Sequence, residues 1–293
     1  MTAPRLPPRL ISGLSELAPA YDALICDVWG VIHDGHKAHP AAAEALIHFR
    51  EKHGPVVLLT NAPRRADSVA ALCAGYGLPP GCYDAIVSSG EAARTALAHR
   101  SAQGTLALYY IGPDKDLPVM EGLDLALTGI AEASLVMCTG LIDDLTETPD
   151  DYADRLAAMR ARDLTMICAN PDLVVHRGAQ LCYCAGALAK DYEKLGGTVI
   201  YYGKPHRPIY DAALAAAGLA EKAANRQSPQ KPLAVGDGMF TDLLGANRAG
   251  LDVLFIADGV HGEEVEPYTS DHLGKLFAKS GVHALAASRS LTW

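Results

Sequence analysis

With 293 residues, 49% of them hydrophobic and 20% charged, the chain can bury one large core or two smaller ones, which excludes intrinsic disorder. Its 34 acidic side chains outnumber 25 basic ones for a formal charge of −9, the wrong sign for broad neutralisation of a nucleic-acid backbone or an anionic membrane surface. Any anionic substrate must be held locally, by a metal ion, a lysine or a helix N-terminus.

In chain order, apolar runs that close on small or polar residues predict buried strands at 23–26, 56–59, 85–87, 106–111, 135–138, 165–168, 198–202, 233–235 and 253–256. Helical spacing between them predicts helices at 41–52, 65–76, 91–99, 149–162, 208–217 and 241–249. This alternation argues for an α/β fold with a largely parallel sheet. Gly and Pro punctuation marks seams near 101–104 and 195–197, and the hydrophilic stretch 221–231 reads as an exposed loop. Composition leaves one large domain and two smaller ones equally open.

The seven cysteines, Cys26, Cys73, Cys82, Cys138, Cys168, Cys182 and Cys184, are odd in number and scattered, with no C-x-x-C pair, so neither a disulfide framework nor a zinc ribbon fits. Cys182 and Cys184 alternate as on one face of a strand and read as buried thiols. Residues 1–10 hold three prolines and no apolar segment, and no run of about 18 apolar residues occurs anywhere. A soluble, cytoplasmic protein is expected.

In open parallel sheets ligands bind beyond the carboxyl ends of the strands, and four strand ends carry chemistry. In Leu24-Ile25-Cys26-Asp27-Val28-Trp29-Gly30-Val31 a carboxylate follows a buried run, as a nucleophile or as a turn cap. In Thr60-Asn61-Ala62-Pro63 a hydroxyl and a backbone amide are suited to a phosphate oxygen, or equally to starting a helix. Gly203-Lys204-Pro205 puts an ammonium at a strand end, where it can offset phosphoryl charge or simply be solvated. Gly236-Asp237-Gly238-Met239-Phe240-Thr241-Asp242 carries two carboxylates suited to a hard cation such as Mg²⁺, or to capping a loop.

In this order and spacing the four segments resemble the haloacid dehalogenase superfamily of phosphohydrolases. The resemblance implies that Asp27 is the nucleophile that forms an aspartyl-phosphate. It also implies that Thr60 binds phosphate with Asn61, that Lys204 steadies nucleophile and phosphate, and that Asp237 and Asp242 hold Mg²⁺ with Asp27 and the backbone carbonyl of Trp29. About 140 residues separate Thr60 from Lys204, too many for a plain crossover. That insertion is similar to the α/β cap of the type IIA, NagD-like subgroup. Thr139-Gly140-Leu141, Ala169-Asn170-Pro171-Asp172 and Gly186-Ala187-Leu188 extend the likeness. A Rossmann-like parallel-sheet core from 1–102 and 199–293 is then expected, with an inserted α/β cap at 103–198 that sets substrate specificity. Related caps often mediate dimers, so a homodimer is one expected state.

One position departs from the family pattern. Family phosphatases carry a second Asp two residues after the nucleophile, as general acid and base, and this chain has Trp29 there. An indole N–H does not exchange protons at neutral pH. General acid–base catalysis is worth about 10²–10⁴ in rate, or about 3–5 kcal/mol, whereas phosphoryl transfer rests mostly on positioning and charge. The expected protein is therefore a Mg²⁺-dependent phosphatase of a small phosphorylated metabolite, a sugar phosphate or an aryl phosphate, with weak or specialised turnover. Two rivals follow: a catalytically impaired phosphometabolite-binding protein, favoured by Trp29, and a metal-independent dehalogenase, disfavoured by the acidic pair. His33 and Asp34 are the nearest replacement proton donors, and also read as a polar turn. The His33, His36, His39 spacing reads as an exposed loop rather than a metal site, and Asp172, His176 and Arg177 as substrate contacts or as a solvated loop.

Overall fold

The computed structural model describes residues 6–177, 180–219 and 231–293, with backbone only at 176, 177 and 180. The stretch 221–230 and the His176 and Arg177 side chains therefore lie outside the described residues. The strands in chain order are β1 (Arg9–Leu10), β2 (Ala23–Asp27), β3 (Val56–Thr60), β4 (Ala85–Ser88), β5 (Leu106–Ile111), β6 (Leu125–Leu127), β7 (Leu135–Cys138), β8 (Thr165–Cys168), β9 (Val174–Arg177), β10 (Gln180–Tyr183), β11 (Thr198–Tyr201), β12 (Pro232–Gly236), β13 (Asp252–Ile256) and β14 (Ala286–Ser288). The helices are α1 (Pro40–Lys52), α2 (Ala66–Gly75), α3 (Ser89–Ser101), α4 (Ala153–Ala161), α5 (Ala185–Lys194), α6 (Arg207–Ala216), α7 (Leu244–Ala249) and α8 (Ser270–Lys279).

The chain divides into two compact units, one made of Met1–Thr60, Ala70–Val87 and Tyr210–Trp293, the other of Asn61–Val69 and Ser88–Ile209. The first contains a seven-stranded sheet of order β1-β14-β13-β12-β2-β3-β4. Strand β2 pairs in parallel with both β3 and β12. From β2 the chain steps outward to β3 and β4, then returns on the other side of β2 through β12, β13 and β14. Strand order therefore reverses between β2 and β12, the switch point at which loops diverge and leave a crevice at the carboxyl ends. Every residue of β2 and β3 is buried, which is why both read as unbroken apolar runs rather than as alternation. Helix α8 docks by Leu273 and Phe277, the latter edge-on to Phe255 of β13 with ring centroids 5.0 Å apart.

The second unit carries a five-stranded parallel sheet, β11-β8-β7-β5-β6, and an antiparallel hairpin of β9 and β10. Alternate residues of its strands feed two cores. Val136, Cys138, Met166 and Cys168 pack with Leu156 of α4 and Leu188 of α5, while Met137 and Ile167 pack with Ala93 and Leu97 of α3. Both faces are covered, as a parallel sheet requires. Helix α3 starts where Ser88 accepts a hydrogen bond from the Glu91 amide. All seven cysteines are buried free thiols, Cys182 on β10 and Cys184 at the start of α5. Among the described residues no helix is long and apolar enough to cross a membrane.

Candidate active site

The first unit gathers three carboxylates at the switch point. Asp27 ends β2, in register with Leu59 of β3, so Thr60 stands one residue beyond it on the neighbouring strand. Asp237 follows the last residue of β12, and Asp242 lies in the turn after it. All three are buried, and one oxygen of each lies within 4.8 Å of the others, the acidic cluster with ligand geometry among the described residues. Burying like charges together is unfavourable without a cation. An octahedral Mg²⁺ with bonds of about 2.1 Å spaces its oxygens about 3–4 Å apart, so this donor set fits one such ion, directly or through a bound water.

Local structure explains how the carboxylates are held. Met239–Leu243 form a single π-helical turn in which the amides of Asp242 and Leu243 both donate to the Gly238 carbonyl, at 2.9 and 3.0 Å. The wide turn folds the Asp242 side chain back, and its Oδ2 accepts from the Gly238 amide at 3.1 Å and the Thr241 hydroxyl at 3.3 Å. From α6, the Tyr210 hydroxyl donates to the Asp242 carbonyl at 3.1 Å. Asp237 Oδ2 accepts from the Val260 amide at 2.8 Å. Gly30 and Gly259 close in on Asp237 so tightly that a Cβ on either would overlap its carboxylate, and Gly30 also has φ +83°. Val260 and Gly259 escaped the sequence reading, although they follow the 253–256 run and the same strand-end rule reaches them.

Around this cluster the proton chemistry is sparse. Trp29 is 44% exposed, and its indole nitrogen edge lies over Gly35, where a Cβ would sit 3.2 Å from it. His33 is buried edge-on against Tyr76, centroids 4.9 Å apart, and its Nδ1 accepts from the Gly35 amide at 3.1 Å. Burial holds its pKa below the ordinary histidine value, Asp34 opposing, so the ring is neutral near pH 7. Asp34 is exposed, and Oδ1 accepts from the amides of His36 and Lys37, both at 2.9 Å. Those amides, Lys37 foremost, hold its carboxyl below the usual carboxylate value. The pair thus forms the polar turn rather than a proton relay. His261 accepts from the Met239 amide at Nε2, 3.0 Å, and faces Glu264 at Nδ1, 3.4 Å. Burial pushes its pKa down as well.

The second unit brings together Asn61, Lys204 and Asp172. The Asn61 carboxamide has its full complement of partners. Its Oδ1 accepts from the Lys204 amide at 2.7 Å and the Ser89 hydroxyl at 3.3 Å, and its Nδ2 donates to Asp172 Oδ1 at 2.8 Å and the Lys204 carbonyl at 3.2 Å. A Cβ at Gly203 would overlap Ser89 and Pro171, and one at Gly186 the carbonyls of Pro171 and Asp172. The quoted segments around 61, 171, 186 and 204 therefore form one interlocked knot. Asp172 is spent on this knot at Oδ1.

A doubly wound parallel sheet with three buried carboxylates at its switch point defines an α/β protein whose site suits a hard cation and an anionic ligand. Two family models match, haloacid dehalogenase-like hydrolase over residues 24–126 and HAD-hydrolase-like over 201–279. The crystal structure of a haloacid dehalogenase-like hydrolase from Brucella suis 1330 is 41% identical, covers 96% of this chain and 100% of its own, and superposes with a TM-score of 0.81. The ribonucleotide monophosphatase NagD of Escherichia coli K12 is 27% identical over 81% of this chain and 88% of its own length. A D-glycerol 3-phosphate phosphatase of Mycobacterium tuberculosis is 28% identical over 85% of this chain and 66% of its own. The chain belongs to the haloacid dehalogenase-like hydrolase family, in its NagD-like branch.

Proposed function

We propose that the chain is a Mg²⁺-dependent phosphohydrolase that releases phosphate from a small phosphorylated metabolite through an aspartyl-phosphate on Asp27. The observation that carries this is the buried cluster of Asp27, Asp237 and Asp242 at the switch point. That the E. coli and M. tuberculosis relatives bear phosphatase names supports phosphate over carbon as the centre attacked. Asp27, the Trp29 carbonyl and Asp237 would hold the ion, which when bound offsets charge on the phosphoryl group. Asp242, fixed by the Gly238 amide and the Thr241 hydroxyl, orients that set.

Asp27 ends a fully buried strand, so its carboxylate is immobilised for in-line attack on phosphorus. Thr60 offers a hydroxyl, Asn61 its backbone amide since the carboxamide is engaged, and Lys204 an ammonium to the phosphoryl oxygens, roles that follow from the motif match. The unit that carries the three carboxylates then acts as the catalytic core, and the unit built on the five-stranded sheet, which takes in 103–198, as the specificity cap. A reducing, cytoplasmic setting suits seven buried free thiols.

The test is turnover of p-nitrophenyl phosphate with Mg²⁺ by the wild-type protein and Asp27→Asn. Turnover that is lost with chelation and with Asp27→Asn is expected. Its absence would favour the non-catalytic phosphometabolite binder that Trp29 suggests, and metal-independent halide release from a 2-haloacid would favour carbon chemistry.

A further inference from the structure

We propose that His261 is a positioning residue for the metal site: from a distant segment it caps the π turn that carries Asp242 and adjoins Asp237, and so sets how tightly the carboxylates bind Mg²⁺. The inference rests on the metal-dependent reading above and adds to it a residue outside the acidic cluster.

The turn needs a cap that its own sequence does not supply. The first amides of a helical turn have no partner within it, and a Ser, Thr, Asp or Asn side chain just before the turn commonly provides one. Here that position is Gly238, with no side chain to offer. Glycine is required there, because a Cβ would lie 2.0 Å from the Thr241 hydroxyl oxygen and 3.0 Å from Asp242 Oδ2. The same folding back of Asp242 that dictates Gly238 therefore leaves the Met239 amide without a local cap. His261 takes that amide on Nε2 at 3.0 Å, from 22 residues further along the chain.

The histidine is built for this contact. Asp258, Val260, Gly262, Glu263 and Glu264 around it are exposed, yet the His261 side chain is only 14% exposed. A polar ring turned inward from a solvated strap needs a partner. A backbone amide can only donate, so Nε2 is the unprotonated nitrogen and the proton sits on Nδ1, 3.4 Å from Glu264 Oε2. Burial, opposed by Glu264, lowers the pKa and favours that neutral form. The Phe240 ring stands edge-on to the imidazole, centroids 6.5 Å apart.

The strap also delivers two opposite polarities side by side. Val260 donates its amide to Asp237 Oδ2 at 2.8 Å, and the next residue accepts from Met239, two residues beyond Asp237. A carboxylate and an amide of one turn are thus met by a donor and an acceptor on consecutive residues. The strap has a fixed base. The Ala257 and Asp258 amides donate to the carbonyls of Ser288 and Arg289, both at 2.9 Å. The Arg289 guanidinium then pairs with Asp258 at 3.2 Å and Glu266 at 2.7 Å, tying both ends of 258–266 to the chain after β14. Groups that orient metal ligands in this way are typically worth about 10–100-fold in metal affinity.

The test is Mg²⁺ titration of the metal-free protein by calorimetry in the wild type, His261→Leu and His261→Gln. Leucine has no acceptor, whereas glutamine brings Oε1 to about where Nε2 stands. His261→Leu should weaken Mg²⁺ binding at least about tenfold, and His261→Gln should recover most of that loss. For p-nitrophenyl phosphate, kcat at saturating Mg²⁺ should change less than the affinity does. Wild-type affinity in His261→Leu, or an equal loss in both variants, would overturn the proposal and leave Asp27-dependent turnover standing. A second measurement needs no substitution: nitrogen-15 spectra of the wild-type protein labelled at histidine should show His261 as the Nδ1–H tautomer. The Nε2–H tautomer would overturn the proposal even if His261→Leu fails to fold. A wild-type protein that neither binds Mg²⁺ nor shows Asp27-dependent turnover would overturn the metal-dependent phosphohydrolase reading, and this proposal with it.

Discussion

Replacing Asn61 by aspartate inverts two hydrogen bonds while barely changing shape. The oxygen introduced in place of Nδ2 would face Asp172 Oδ1 across 2.8 Å and the Lys204 carbonyl across 3.2 Å, acceptor against acceptor. Two inverted bonds at about 1–3 kcal/mol each cost about 2–6 kcal/mol, to which the repulsion of two neighbouring carboxylates adds. The bonds that Oδ1 accepts from Lys204 and Ser89 are retained, so the damage falls on the placement of Lys204 and Asp172. A catalytic group misplaced by about 1 Å loses about 10²-fold in rate, and kcat/KM for p-nitrophenyl phosphate should fall by about that factor. Asn61→Ala, which removes the partners without opposing them, should fall less. The decisive assay is the pair Asn61→Asp with Asp172→Asn, in which the amide introduced at 172 donates to the carboxylate introduced at 61. It should recover about tenfold of the loss, a coupling of about 1.4 kcal/mol. If the two substitutions are instead additive, the Asn61 side chain does not act through this knot, and the positioning argument is wrong.

Trp29→Asp supplies the proton donor that position 29 lacks, and should raise turnover of an alkyl phosphate by up to about 10² while raising aryl phosphate turnover less; an equal or falling response in both would show that position 29 has been misjudged. Gly30→Ala forces a Cβ into the Asp237 carboxylate at a left-handed φ of +83°, and Mg²⁺ affinity by calorimetry should drop at least about tenfold; unchanged affinity would remove Asp237 from the ligand set. Tyr21 donates to Asp252 at 2.8 Å, so Tyr21→Phe should cost about 1 kcal/mol in urea unfolding at neutral pH. Burial raises the Asp252 pKa, but the bonds from Tyr21 and Lys231 outweigh it and hold it below the usual value. A depressed carboxylate contributes stability above its unfolded pKa of about 3.9 and loses it as pH falls through the folded value, so the Tyr21→Phe cost should shrink as pH falls below that unfolded value; a constant cost would refute the link. Burial raises the thiol pKa of Cys73, Cys82, Cys138 and Cys168, pushing Cys138 up to about 12, and none of the seven cysteines should react with a thiol reagent before denaturation.

The strands 106–111, 135–138 and 165–168 were legible to the residue, because a parallel sheet covered on both faces demands an unbroken apolar run. The predicted helix 241–249 begins instead as a π turn at Met239, since the Gly238 carbonyl takes two amides at once, which periodicity cannot register. The predicted helix 149–162 opens as a 3-10 turn at Pro149–Tyr152. Helices α5 and α8 were not predicted. In α5 the motif residues at 186–188 and the strand-like cysteines before them masked an amphipathic stretch. Edge strand β1 and its neighbour β14 are only two and three residues long and too short to carry a pattern.

The amino-acid sequence by itself determined the type and order of the candidate site groups: a carboxylate at 27, a hydroxyl at 60, an ammonium at 204 and a carboxylate at 237, each at or just past the end of an apolar run, with a second carboxylate at 242. Tertiary structure alone decided how those groups are held. It closes Asn61 around Lys204, 143 residues away, and Asp172, 111 away; it turns His33 into Tyr76; and it draws three carboxylates to within 4.8 Å. The reason is physical. Periodicity and turn residues report how a segment meets its nearest layer, whereas saturation of a buried amide or convergence of like charges depends on contacts between segments far apart in the chain, where no local preference reaches.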